Sequence, residues 1–224
     1  DADTYWFGLS LRARIAVYAA ERVDKNKLLG YKSLANPEFK GRVLIRSSSN
    51  IYNQSLIAHM ISKYGLVEAE KWAMGLVRNF ARDPAGGDRD QVKALAAGEG
   101  DIAIVNSYYV ANMMDTDNKN LFDKLRIYFP NDDFMGTHLN ISGAAVLKNA
   151  PNVNNAIKFI EFLASDEAQY IYANINYEYP VVKGIKIPFI LQDFGSYIED
   201  NILINEYGKL SSEAIKLADR VGWK

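Results

Sequence analysis

Tyr108 and Tyr109 stand side by side in IVNSYYV, residues 104–110, where a short apolar stretch runs out. A third tyrosine, Tyr52, follows the serine-rich SSSN at Ser47–Asn50. A free phenol ionises only near pH ~10 and is a poor anion at neutral pH. A bound multivalent cation inverts that preference, because it takes the deprotonated form. Phenolate is a hard oxygen donor and suits ferric iron, whereas zinc and copper favour imidazole and thiolate. Three phenols converging on one sheet edge would therefore serve a hard, highly charged cation. The same residues could equally cover apolar surface, and spacing alone leaves both readings open.

Other chemistries are poorly provided for. The chain has no cysteine, so disulfides, thiolate metal sites and cysteine nucleophiles are excluded. His59 and His138 are its only histidines, too few for a multi-histidine zinc site. Both are expected to be ordinary: His59 a surface or packing residue in a helix, His138 a residue just ahead of a strand. No nucleophile–base pair, histidine metal motif or acid pair marks an enzyme, and no haem attachment motif accompanies the tyrosines. The formal net charge of −1 gives no sign of nucleic acid or an anionic membrane as partner. No run of 18 apolar residues predicts a transmembrane helix.

Those tyrosines need elements to hold them. Arg14–Tyr18 and Val43–Arg46 read as strands. After the N-cap types of SSSN, Ile57, Met60, Ile61 and Tyr64 recur at i, i+3, i+4 and i+7, which predicts a helix from about Ile51. Gly65 ends it, and Ala69, Trp72, Ala73, Leu76, Val77 and Phe80 mark a second helix. In AGGDRDQVKALAAGEGD, Asp88 is placed to cap a helix, with Gln91 completing a capping box and Gly98 as the stop. DIAIVN is then a buried strand and SYYVANMM opens another helix. Further on come a strand in THLNISGAAVLK broken at Gly143, a helical stripe of Ala156, Ile157, Ile160, Leu163 and Ala164, and a tail helix over Ser211–Trp223. This alternation predicts an α/β fold with a mostly parallel sheet. Ligands of such sheets bind beyond the carboxyl ends of strands. SSSNIY and NSYY both fall there. Tyr52 sits about 140° around its helix from Ile57 and should leave that core. Adjacent Tyr108 and Tyr109 cannot both face one core layer.

With these stretches in view the chain resembles the periplasmic ferric-ion-binding proteins, the solute receptors of bacterial iron(III) ABC importers, and most of all their tyrosine-rich branch. GRVLIRSSSNIYNQS, PAGGDRDQVKALAAGEGDIAIVNSYY, SGAAVLKNAPN, FIEFLAS, NYEYPV and EAIKLADRVGWK carry the resemblance through nearly the whole chain. It implies that Tyr52, Tyr108 and Tyr109 are Fe(III) ligands. It implies that the turn Ser49, Asn50 and Ile51 holds a synergistic anion such as carbonate in some members, that Asp88 and Asn106 line the cleft, and that Arg12 or Arg14 pairs with the anion. Free N–H groups at a helix start suit that role.

The resemblance further implies a periplasmic-binding-protein type II-like fold, here a fragment lacking most of the first domain. Residues 13–138 would be most of the second domain, 139–186 would return to the first, and 187–224 would rejoin the second. The chain begins DADTY, without an initiator Met or signal peptide, and the expected missing N-terminal segment of about 100 residues would bring further ligands and cover apolar helix faces. The implied function is periplasmic ferric-iron capture and delivery to an inner-membrane ABC permease, without catalysis. The competing expectation is a receptor of the same fold for a small organic anion or polyamine, with the tyrosines as aromatic walls.

Overall fold

The computed structural model describes residues 6–116, 122–132, 135–198 and 204–224. Its spine is the strand β1 (Phe7–Ala19), much longer than the Arg14–Tyr18 expected from sequence. From Arg14 onward β1 pairs antiparallel with β3 (Ile102–Asn106) on one side and, from Ala16, with β4 (Leu125–Tyr128) on the other. From Phe7 to Ala13 it pairs instead with β5 (Leu139–Ala144) and β6 (Tyr179–Pro180), again antiparallel. The change of partner is abrupt: Ala13 faces Leu139 and Arg14 faces Asn106. The Arg14 N–H donates to the His138 carbonyl at 2.9 Å there.

The expectation of a mostly parallel sheet is therefore wrong. Among the strands of the described residues only β2 (Val43–Leu44) runs parallel to its neighbour, β3. That pair is joined by a helical crossover, as parallel strands require. Alternation of strand and helix patterns does not reveal that β1 passes from one set of partners to another, and every antiparallel ladder is made to β1.

The period-2 alternation of β1 divides the interior. Ala16 and Tyr18 face one core, while Ala13, Ile15, Val17 and Ala19 face the other. Beyond the short α1 (Gly30–Ser33), the first core is covered by α2 (Ile51–Arg78) and the tail helix α8 (Ile204–Val221). Ile57, Met60, Trp72 and Leu76 of α2 meet Ala214, Leu217 and Trp223 there. Gly65 takes φ 78° and ψ 164°, a conformation open to glycine, and parts α2 into the two helices that the sequence predicts.

The second core lies under α3 (Asp88–Ala96) and α4 (Ser107–Thr116). The expected cap of α3 is misplaced by one residue. Gly87 is the N-cap, its N–H bound by the Asp90 carboxylate at 2.7 Å, and Asp88 turns inward to a buried arginine. A fully charged partner holds that carboxylate better than a backbone N–H would. Gly98, at φ 83°, follows the C-cap as expected. Around β6 the chain forms α5 (Val153–Leu163), α6 (Asp166–Asn174) and α7 (Phe189–Asp193). No residue of α5 is buried, and Phe159 and Phe162 lie open on it.

His59 and His138 are both fully buried, so each is a packing residue rather than a surface one. His59 Nδ1 lies 2.8 Å from the Tyr207 hydroxyl, His138 Nε2 lies 2.7 Å from Ser55 Oγ, and the two rings are 4.8 Å apart. Burial above all, then the neighbouring His59 and Arg14, holds His138 well below the ordinary histidine value. The folded ring stays neutral where the unfolded one gains a proton, near pH ~6.5. Its contribution is complete above that pH and is lost as the solution is acidified. Urea midpoints should therefore fall between about pH 7.5 and 5.5, and His138→Gln should flatten the fall. An equally steep fall in that variant would place the acid sensitivity elsewhere.

Candidate metal centre

Two helix starts bring the tyrosines together. Asn50 caps α2 by accepting the Tyr52 N–H at 3.0 Å, which sets Tyr52 in the first turn. Asn106 ends β3 and Ser107 begins α4, which sets Tyr108 and Tyr109 in its first turn. The Tyr52 and Tyr108 hydroxyls lie 3.4 Å apart. The Tyr108 and Tyr109 rings lie alongside each other, centroids 4.0 Å apart at 33°. All three are half-buried, and Tyr108 alone of the adjacent pair leans on the core. Burial, followed by hydrogen bonding to Tyr109 and Tyr52, pushes the Tyr108 phenol above its ordinary value. Tyr108 thus holds its proton more firmly than a free phenol does.

Guanidinium groups surround them. Arg12 lies 5.8 Å from the Tyr108 ring centre and 6.0 Å from that of Tyr52. Arg14 and Arg46 lie 5.9 and 5.8 Å from the Tyr52 ring, and Arg89 lies 5.8 Å from that of Tyr109. These are cation–π distances. The same charges would favour phenolates once a cation displaced the protons.

Behind the rings lies a buried polar network. Arg14 is wholly buried and pairs with Asp88 at 2.8 Å. It also donates to Asn53 Oδ1 at 2.7 Å and to Asn106 Oδ1 at 3.3 Å. Asp88 in turn accepts the Asn106 N–H at 2.7 Å and faces Arg46 at 3.4 Å. Asn53 closes the loop by donating to the carbonyls of Arg46 and Ser47. Gln91, fully buried, ties the turn before α3 through Ala85 and Gly87 carbonyls.

The structure thus brings Tyr52, Tyr108, Tyr109, Arg12, Arg14, Asp88 and Asn106 into one place. It also separates the two arginines. Arg14 is engaged by Asp88 and the two asparagines while lying at the Tyr52 ring, so Arg12 is the one of the two beside Tyr108. Asn50 is the cap of α2, and Ser49 and Ile51 flank it exposed. Sequence reasoning did not single out Arg46, Asn53, Arg89 or Glu178. Arg46 closes the expected strand directly before SSSN, which was a usable signal. Glu178, 3.7 Å from Arg12, lies 166 residues away from it and left no local signal. Among the described residues no group of three His, Asp or Glu side chains could hold a metal ion.

A family model described as bacterial extracellular solute-binding protein matches residues 1–193. The chain is 43% identical over 227 residues to Iron uptake protein A2 of Synechocystis, covering 99% of this chain and 66% of that protein. It is 41% identical over 225 residues to Iron uptake protein A1 of the same organism, covering 99% and 62%. Among solved structures it is similar to a Trichodesmium protein in complex with iron and citrate ligands, at 52% identity and a TM-score of 0.93, over 98% of this chain and 70% of that one. The chain spans 62–66% of the length of these two curated relatives.

The buried network should respond asymmetrically to substitution. Asp88→Ala leaves Arg14 charged, buried and unmatched, and should cost about 3–5 kcal/mol in denaturant unfolding. Arg14→Met combined with Asp88→Ala should cost clearly less than the sum of the two single changes. Additive losses would show that the two side chains stabilise the fold independently.

Proposed function

The chain belongs to the bacterial extracellular solute-binding proteins, and on that premise we propose that it captures ferric iron through Tyr52, Tyr108 and Tyr109 and delivers it to an ABC-type importer. The architecture is the mixed α/β, type II-like fold of its iron-binding relatives. The observation that carries the reading is the meeting of the Tyr52 and Tyr108 hydroxyls at 3.4 Å, with Tyr109 hydrogen-bonding beside them, at two helix starts. Core tyrosines have no need to bring phenol oxygens together. Three phenolates would balance the charge of Fe(III), and each suits it as a hard donor. The remaining positions fall to further ligands and to a synergistic anion such as carbonate, held by the Ser49–Ile51 turn and Arg12. The receptor acts in the periplasm, by binding rather than catalysis.

The proposed organisation keeps residues 13–138 and 187–224 as one unit and 139–186 as part of another. Support comes from the change of partners along β1 between Ala13 and Arg14, matched by the step from His138 to Leu139. Closure of such units around a ligand is the usual motion of binding proteins. The guanidinium groups at the tyrosine faces weigh against a polyamine as the cargo. A small organic anion remains the rival, and it would bring no visible chromophore.

Loaded with Fe(III), the protein should absorb in the visible as a ferric phenolate. Tyr108→Phe or Tyr109→Phe should lose most of that band and weaken iron at least about 100-fold in a chelator competition, while unfolding as the parent does. A double variant that kept its colour and affinity would remove the tyrosines from the ligand set.

Iron uptake must also release the phenol protons, and Tyr108 holds its proton more firmly than a free phenol. Affinity should therefore drop as the pH is lowered from about 8 to 5 at fixed free iron. A flat profile across that range would rule out phenolate ligation.

A further inference from the structure

Arg12 does not reach the tyrosines unaided. Its guanidinium faces Glu178 at 3.7 Å and donates to Ser142 Oγ. Glu178 accepts a further hydrogen bond from Ser10 Oγ. The side chains of both members of the pair are nearly buried, at 10% and 13% exposure. Ser10 and Arg12 share one face of β1, in the half that pairs with β5 and β6, and Ser142 lies on β5. Glu178 comes just before β6. The residue before it, Tyr177, has φ 58°, the one left-handed non-glycine among the described residues. An L-residue is held there only where its surroundings demand it. Tyr177 is itself buried, and the following Glu178 N–H is fixed on the Tyr172 carbonyl at 3.1 Å. The backbone thus accepts a disfavoured turn where Glu178 is brought to Arg12.

We propose that Glu178 is a positioning residue of the metal centre: it fixes Arg12 against the face of Tyr108 and balances its charge, so that a neutral pair rather than a free cation tunes the donor strength of that phenolate. This rests on the ferric reading above. A cation at a phenolate ring stabilises the electrons that the ligand gives to iron, and a carboxylate behind that cation takes part of the effect back. Arg12 is nearer the rings, so its removal has the larger effect. The two members of the pair act with opposite sign.

The test is the visible band of the Fe(III)-loaded protein. Arg12→Gln should move it to longer wavelength and Glu178→Gln to shorter wavelength by a smaller amount. The double variant should return toward the parent. Glu178→Asp and Arg12→Lys keep the charges and should stay nearest the parent band, and they serve as well if a glutamine variant fails to fold: a band displaced as far by these as by loss of charge overturns the proposal. So do shifts of both glutamine variants in one direction, which signal plain disruption, or no shift in either. A parent protein without any ferric phenolate band overturns the ferric reading and this proposal with it. A coloured parent with same-sign shifts overturns this proposal alone.

Discussion

The arrangement of this protein depends on one buried ion pair, Arg14 with Asp88. Two full charges without solvent are costly unless every remaining donor and acceptor is engaged. Here Asn53, Asn106 and Arg46 supply most of those partners. Each belongs to a different stretch of chain. Arg14 comes from β1, Asp88 from the start of α3, Asn53 from the first turn of α2, and Asn106 from the end of β3 where α4 begins. The pair therefore fixes three helix starts against one strand. Tyr52 and Tyr108 stand one and two residues from Asn53 and Asn106, so their hydroxyls meet because those asparagines do.

The network also determines which charges face the cleft. Asp88 is the acidic residue of the network, and it is buried between Arg14 and Arg46. What faces the rings is cationic, from Arg12, Arg46 and Arg89. Such surroundings repel a bare cation and reward one that arrives with phenol deprotonation. On the ferric reading proposed above, they suit a site that discriminates by how strongly a metal can displace a proton.

The sequence was most legible where a local rule acts alone. Gly65 parting the long helix, Gly98 ending the next one and the opening of α4 directly after Asn106 all follow from glycine conformation or burial periodicity. The tyrosine cluster was legible as well, because placing SSSNIY and NSYY after strands needs only the order of elements. What failed needed long-range information. Asp88 looked like a cap because its partner, Arg14, is 74 residues away. The sheet looked parallel because strand patterns carry no direction, and β1 looked five residues long because only the continuous apolar part was read, although Phe7, Leu9, Leu11 and Ala13 alternate as a strand should. Glu178 was invisible for the same reason: its meaning lies in Arg12 and in the backbone turn at Tyr177.

The exchange of partners along β1 has a mechanical consequence. Six or seven residues lie on each side of the junction between Ala13 and Arg14, so each half is a stiff arm of about 20 Å at ~3.3 Å per residue. A swing of only ~10° at that junction carries the far end of an arm through roughly 3–4 Å on the same spacing. That displacement exceeds the length of a bond between a metal and oxygen. On the function proposed above, small angular strain at the middle of one strand would be geared into the difference between gripping an ion and letting it go.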